Sequence, residues 1–599
     1  MLDHSPFQLV QIRAAIVLLA YAPWFELGIL ISLIAAKAIL HPYEAPGRTY
    51  LISVSTLTAL LALELVFYII KYRPHLERLR RDAQHPAPLT RRQRLALFEK
   101  CAANIPDPES YVRLWFHGAE LKDIKRDNVA EFILWAFFDR DGAEGNGPIQ
   151  GLAPEDHDVT AELEHYVSRT EDLLGLKLPP GRGSATCLRL TIDAIEQRYR
   201  SLLWYAIVSG VDLTTHLCLF RDGFQYYGPP LRKTLGVFPP RLQAVPALLP
   251  FPGAKRYSSA SEHIGFWYRP HTARNSRPVV FIHGIGVGLW PYTRFLHEIG
   301  RPATSGRSGG GSEGQIGVIV LEILPISTRL TDPPLRREAF VEELRTILAA
   351  HAPDWLDNGF VLVSHSYGSV LTTHIIRDPD LAPHVRGIVL IDPVTLLLHL
   401  PDVAYNFTRR PPKTANEWQL WFFASMDAGV AEGLGRHFFW RENEVWKEEL
   451  VGGSGSPVKA ASNGRVTRSK GRDPASDRWP AVTRRKVAVS LGGRDLIVNT
   501  ERVAQYLARP GDMADSGPSE HQQAVDAMFR AREAGSVATG DSPRCTRFAA
   551  PSGVEIVWFP TLDHAQVFDT REDRQQILNV IGEYCSLRSA SVDLIDLNE

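Results

Sequence analysis

Cysteine is scarce in this 599-residue chain. The five that occur, Cys101, Cys187, Cys218, Cys545 and Cys585, are odd in number, widely scattered and never spaced Cys-x-x-Cys. That excludes a disulfide framework or a cysteine-rich zinc site as an expectation, and it suits a reducing compartment. An excess of one charge is also lacking. With 66 Lys and Arg against 67 Asp and Glu, bulk charge gives no reason to expect a nucleic-acid partner. Nor does any His/Asp/Glu group have metal-ligand spacing, so no metal and no cofactor are expected and a metal hydrolase is disfavoured.

Apolar residues are plentiful, at 45% of a chain too long for one ordinary domain, which points to a core domain with attachments. Residues 14–36 form one long apolar run, interrupted by Pro23 and Glu26, and residues 50–70 form another. At 1.5 Å per residue, about 20 helical residues reach the roughly 30 Å of a hydrocarbon core. In the second run twelve Leu, Ile, Val or Phe residues face one acid, Glu64. At about −0.45 kcal/mol for each apolar residue and about +3 kcal/mol for the acid, insertion wins. Residues 1–75 therefore read as a membrane segment with two transmembrane helices; one span, or a re-entrant pair, is the alternative. A cleaved signal peptide fits less well, because the first run is too long and a second follows.

Lys71, Arg73, Arg78, Arg80, Arg81, Arg91, Arg92 and Arg94 follow the second run, whereas the loop from Lys37 to Thr49 holds only Lys37 and Arg48. Positive-inside reasoning places everything after residue 70 in the cytosol. The endoplasmic reticulum is one membrane compatible with that. The sequon Asn406-Phe-Thr408 then reads as a chance match. Glu26 and Glu64 are best explained by helix-to-helix or interfacial placement.

Residues 76–259 read as a helical accessory region without a catalytic signature. Val129, Phe132, Ile133, Ala136 and Phe137 form one apolar stripe on a helix that Asp127 or Asn128 would cap. Leu202 to Phe220 is apolar enough to bury or to lie on lipid, but Asp212 and His216 argue against a span. From residue 260 to 599, apolar runs alternate with helical patterns: 265–268, 279–282, 316–324, 360–363, 387–391, 487–491 and 554–559. Such alternation predicts an α/β domain, its mostly parallel sheet covered by helices on both faces. Stretches 300–314, 452–477 and 510–552, rich in Gly, Ser, Pro or charge, read as disordered insertions.

The stretch Val361-Leu-Val-Ser-His-Ser-Tyr-Gly-Ser-Val370 ends an apolar strand in small residues around Ser366. Raising a serine above a sheet demands a sharp strand-to-helix turn, with small side chains two residues either side. Gly368 meets that demand, and Ser364 stands where glycine is usual. Two literal Gly-x-Ser-x-Gly matches, at Ser308 and Ser312, lie in a Gly/Ser-rich run with neither strand nor helix beside them and read as decoys.

A serine nucleophile also needs a base, an acid to orient the base, and donors for the oxyanion. Strand 279–282 runs into His283-Gly284-Ile285-Gly286, so the N–H of Ile285 or its neighbour Gly284, with that of Tyr367, is the expected oxyanion hole. Strand 487–491 leads to Asp495, the expected acid, and strand 554–559 leads to His564, the expected base. Asp392, which also ends a strand, is the rival acid. His283 and His365 read as lining or structural groups.

Through HGIG at 283–286, SHSYGS at 364–369, GGRD at 492–495 and DH at 563–564, residues 275–575 resemble the α/β-hydrolase superfamily. The whole chain also resembles membrane-anchored hydrolase-fold proteins common in fungi. The resemblance implies the α/β-hydrolase fold, a Ser–Asp–His order, and a cap at 394–485. That cap holds Tyr405, Phe407, Trp418, Trp421, Phe422, Phe423, Phe438, Phe439, Trp440 and Trp446. Such a set suits an apolar acyl chain or a hydrophobic lid core. The expectation is a membrane-anchored serine hydrolase, of lipase or esterase type, cleaving lipid-like carboxylic esters through an acyl-enzyme. Its partners would be the lipid bilayer and an apolar acyl ester. An acyltransferase with the same triad, or a non-catalytic membrane scaffold, is the alternative. Oligomeric state is not legible.

Overall fold

In the computed structural model, which describes residues 5–141, 159–241, 257–300, 314–452, 484–509 and 544–587, one nine-stranded sheet organises the chain. Its strands are β1 (Gln225–Tyr227), β2 (Gly265–Arg269), β3 (Val279–Ile282), β4 (Val318–Glu322), β5 (Phe360–His365), β6 (Val385–Ile391), β7 (Lys486–Gly492), β8 (Thr546–Ala549) and β9 (Val554–Phe559). They lie in the order β1-β2-β4-β3-β5-β6-β7-β9-β8. The six from β4 to β9 are parallel, while β1, β2 and β8 pair antiparallel at the two edges. Alternate side chains enter opposite cores: Val280, Ile282 and Leu362 enter one, Val279, Phe281 and Val361 the other. Helices Arg337–His351, Gly368–Ile376 and Thr500–Ala508 cover the first face, and Thr293–Glu298 and Arg571–Cys585 the second. Burial on both faces is why these strands read as mostly apolar runs, with single polar residues such as Glu322, Ser490 and Glu555 within them.

All seven expected runs are strands. The two missed ones are corrections: β1 lies inside the stretch read as helical, and β8 inside the one read as an insertion at 510–552. The decoys Ser308 and Ser312, and most of the three insertions, fall outside the described residues. The striped helix runs Arg126–Phe138, its N-cap Lys125 two or three residues before the expected Asp127 or Asn128, and Asn128 Oδ1 accepts from the Lys125 N–H at 2.9 Å. A cluster around Phe98, Trp115, Phe132 and Tyr166 makes the accessory core.

Among the described residues, three helices are long and apolar enough to cross a membrane: Pro6–Leu40, Arg48–Leu79 and Leu202–Arg221. The first is α1; α2 (Arg48–Phe67) begins the second and continues through a π-helical turn at Tyr68–Tyr72. Trp24, Phe25, Ile29, Leu51 and Leu63 are exposed on them. Toward its start α1 turns inward, where Ile16 and Leu19 join Phe67, Trp418, Trp421 and Phe422 in one cluster and Arg13 lies 5.4 Å from the Trp418 ring. The third helix packs one face on the sheet edge. There Asp212 pairs with Arg241 at 3.3 Å and Arg329 at 2.9 Å, and His216 meets the Trp267 ring. Its other face exposes Leu203, Ile207, Leu213, Leu217 and Phe220. The polar residues that argue against a span are thus the ones that hold this helix to the protein.

Candidate active site

At the end of β5 the chain reverses into helix Gly368–Ile376 through Ser366, whose φ is +50°, in the left-handed region that most side chains avoid. Steric room dictates the small neighbours. A Cβ on Gly368 would stand 2.5 Å from the Ile282 carbonyl oxygen, and one on Gly284 would stand 2.8 Å from Ser366 Cβ. Ser364, off the usual glycine, is accommodated because its hydroxyl accepts from Thr372 Oγ1 at 2.8 Å, inside the core.

The structure brings Ser366, His564 and Asp495 together. His564 Nε2 lies 2.9 Å from Ser366 Oγ, and His564 Nδ1 lies 2.7 Å from Asp495 Oδ2. With Nδ1–H donating to the carboxylate, Nε2 is left to accept the serine proton. Asp495 is itself fixed: Oδ1 accepts from the N–H groups of Ile497 at 2.7 Å and Val498 at 2.9 Å. Burial pulls the His564 pKa down, but the charge and hydrogen bond of Asp495, with Asp392 and Asp563 behind, outweigh it and carry it to about 9.

Of the expected oxyanion donors, Gly284 is corrected. Its N–H donates to the Tyr292 hydroxyl at 3.1 Å and so is occupied. The N–H groups of Ile285 and Tyr367 donate to no acceptor among the described residues and remain candidates. Tyr292 passes its own hydrogen to His365 Nδ1 at 2.7 Å, while His283 Nε2 accepts from the Ile323 N–H at 2.9 Å. Both histidines therefore brace the loops beside Ser366. His365 is held well below an ordinary histidine pKa by burial first, then by its neighbours His564 and His283. The rival acid Asp392 is also nearby; its oxygens accept backbone N–H groups of Gly492 and Ala565.

Three residues carrying no role in the sequence reading complete the surroundings: Tyr292, Asn416 and Asp563. Asp563 Oδ1 accepts from the N–H groups of His564 at 2.7 Å and Leu496 at 2.9 Å, and Asn416 Nδ2 donates to Asp563 Oδ2 at 2.9 Å. Only the pair Asp563-His564 in sequence hints at this. The aromatics of residues 394–485 pack on several different elements. Arg13 of α1 lies over Trp418, Arg198 lies over Trp421, Phe423 meets the Trp204 ring, Trp440 packs on Phe137, Trp446 stacks on His399, and Phe438 lies beside Tyr367. The hydrophobic lid core is the reading this favours.

Among the described residues, two groups of metal-capable donors form despite their distance in sequence, each with donor atoms within 4.8 Å of one another. One is Asp392, Asp495 and His564. The other is Cys101, His399 and Glu444, all buried, in which His399 Nδ1 and Glu444 bond directly to each other. That contact spends two of the donors on a hydrogen bond.

Solved structures similar to this chain include a bacterial membrane phospholipase A (10% identity, 64% of this chain and 94% of that one, TM-score 0.32). A thermophilic esterase from Thermogutta terrifontis (14%, 56% and 100%, 0.29) and a carboxylesterase from Bacillus subtilis (10%, 62% and 98%, 0.27) are others. No curated protein matches the chain. Residues 279–543 match the profile of the family described as "Alpha/beta hydrolase family". By that match, and by a mostly parallel sheet covered by helices on both faces, the chain carries an α/β-hydrolase domain.

Proposed function

We propose that this protein is a membrane-anchored serine hydrolase that cleaves carboxylic esters of lipid-like substrates. The observation that carries the reading is the relay from Ser366 Oγ through His564 to Asp495, at 2.9 and 2.7 Å, assembled from the ends of β5, β7 and β9. In the first step Ser366 Oγ attacks the ester carbonyl carbon while His564 Nε2 takes the serine proton. Asp495 orients the imidazole and stabilises its positive charge. The N–H groups of Tyr367 and Ile285 receive the carbonyl oxygen as it becomes negative; one such donor is worth about 3 kcal/mol. Collapse breaks the C–O bond to the alcohol, which leaves with the proton from His564. Water, deprotonated by His564, then releases the acid from Ser366.

A lipid substrate is supported by the seating of α1 on cap helix Ala415–Leu420, which sets the cap beside apolar helices of membrane-spanning length. The basic residues after α2 support a cytosolic hydrolase domain.

The test is labelling of the purified full chain in detergent by a fluorophosphonate probe, with Ser366→Ala as control. The probe is expected to modify Ser366 and leave the variant unlabelled; labelling of the variant sinks the nucleophile assignment. For substrate, membranes incubated with the wild type are expected to lose an ester lipid and gain its free acid relative to the variant. Unchanged lipids on active, labelled protein would remove the lipid reading.

A further inference from the structure

The buried carboxyl group of Asp392 touches both loops that carry the relay. Asp392 ends β6, beside β7, which leads to Asp495, and β7 lies beside β9, which leads to His564. Its N–H extends the ladder to the Ser490 carbonyl at 2.9 Å, and there the chain takes φ +44°, a conformation rarely adopted outside glycine. In that pose the carboxyl group reaches across two strands. Oδ1 accepts from the Gly492 N–H at 3.2 Å, three residues before Asp495, and Oδ2 accepts from the Ala565 N–H at 2.9 Å, directly after His564. Ala565 also holds a positive φ, +67°. A donor atom from each of Asp392, Asp495 and His564 lies within 4.8 Å of the other two.

We propose that Asp392 is a positioning residue that clamps the acid loop to the base loop, and that it stands in as the partner of His564 when Asp495 is removed. This rests on the serine-hydrolase reading above. The clamp follows from the two bonds. Each oxygen serves one loop, so the spacing of Gly492 and Ala565 is fixed by one rigid group. The stand-in role follows from proximity: donor atoms of Asp392 and His564 lie within 4.8 Å, and with Asp495 removed one Asp392 oxygen gives up its backbone N–H to meet the imidazole.

The groups facing Asp392 are His564, Asp495, His365, whose Nε2 is 3.8 Å away, and Tyr292. Burial pushes the Asp392 carboxyl up; His564 opposes this, Asp495 adds to it, and the result is about 7. In return, the negative charge of Asp392 helps hold His564 protonated. Removing that charge therefore lowers the pH at which His564 becomes a free base.

The experiment measures the rate of fluorophosphonate labelling at Ser366 against pH for the detergent-solubilised full chain. It compares wild type, Asp392→Asn, Asp495→Asn, the double variant and His564→Ala. Asp392→Asn keeps one acceptor and turns the other into a donor facing an N–H, so labelling is expected to slow. Its acid limb is expected to move to lower pH, a shift that lost packing alone does not produce. Asp495→Asn is expected to exceed both the double variant and His564→Ala by at least about tenfold. An Asp392→Asn profile identical to wild type overturns the clamp. Equal rates for Asp495→Asn and His564→Ala overturn the stand-in role, and that comparison holds even where Asp392→Asn does not fold. Wild-type protein unlabelled at Ser366 overturns this proposal together with the serine-hydrolase reading, whereas the other two failures leave that reading intact.

Discussion

Asn416 donates from Nδ2 to Asp563 Oδ2 at 2.9 Å, which joins helix Ala415–Leu420, packed against α1, to the residue immediately before His564. Asp563 spends its other oxygen on the N–H groups of His564 and Leu496, so one carboxylate gathers the cap, the base loop and the acid loop. Replacing Asn416 by alanine leaves half of a buried carboxylate unsatisfied. The expected loss is about 1–3 kcal/mol of stability, with slower labelling of Ser366. Thermal melting and probe kinetics on the variant check both; an unchanged melt would show that the cap is not tied to the base through this contact.

The pH dependence follows from His564. Its imidazole must be neutral to take the serine proton, yet its pKa, lowered by burial and raised more strongly by Asp495, stands at about 9. Labelling is therefore expected to climb through neutral pH into the alkaline range, with an acid limb well above 6.5, the ordinary histidine value. The sign for stability is the reverse. A raised pKa contributes stability that is full below about 6.5 and fades as pH rises through about 9. An acid limb at or below 6.5 contradicts the electrostatic account of the relay.

In the accessory region Arg94 holds Glu162 with two bonds, Nε at 2.9 Å and Nη2 at 2.6 Å, and both side chains are buried. The pair ties helix Arg91–Ala102 to helix Val159–Leu174, and Tyr166 adds a hydroxyl to Glu162 at 2.6 Å. Arg94→Leu strands the carboxylate and is expected to cost about 3–5 kcal/mol, whereas Arg94→Leu with Glu162→Leu is expected to cost much less. Denaturant unfolding of the three proteins checks this. Equal losses in the single and double variants would show that the charge pair is not what matters.

What could be read from the sequence tracks burial. The seven strands were legible because their runs are mostly apolar and mostly buried on both faces, with Glu322, Ser490 and Glu555 as single polar interruptions. Three-residue β1 and four-residue β8 were not: both are edge strands with half-exposed side chains, too short to show a period. The elbow was legible because its residues answer to local sterics. The acid was half legible, since Asp392 and Asp495 both end strands and only coordinates show which carboxylate meets His564 Nδ1. Tyr292 and Asn416 were invisible, since each reaches its partner only through the fold, across 73 residues to His365 and 147 to Asp563.

Glu64 shows why hydropathy alone misjudges α2. Its Oε2 accepts from the Leu202 N–H at 2.9 Å, at the start of helix Leu202–Arg221, and Oε1 accepts from the Tyr199 hydroxyl. A carboxylate from one helix thus satisfies an orphan N–H at the head of another and suits the positive end of its dipole. Glu64→Leu makes α2 more apolar, yet it is expected to destabilise the protein by about 1–3 kcal/mol, with Glu64→Gln intermediate. Melting in detergent decides it; a stabilised leucine variant would mean that the acid serves no cap.

On the membrane-anchored reading proposed above, charge placement also sets the side on which the hydrolase domain lies. The turn between α1 and α2, residues 41–47, is bordered by Lys37 and Arg48, whereas Lys71, Arg73, Arg78, Arg80 and Arg81 follow the second apolar run. A two-span hairpin then puts that turn opposite the hydrolase domain. A glycosylation acceptor on an extended insert in the turn is expected to be modified in eukaryotic membranes, and the same insert at 82–90 is not. The native sequon at Asn406 does not report sidedness. Asn406 lies in helix Pro401–Thr408 with its Nδ2 donating to the Ile497 carbonyl at 3.0 Å, so its amide is engaged and the sequon is held helical. Modification of the 82–90 insert would invert the topology. An unmodified insert at both positions would replace the two spans with a re-entrant hairpin.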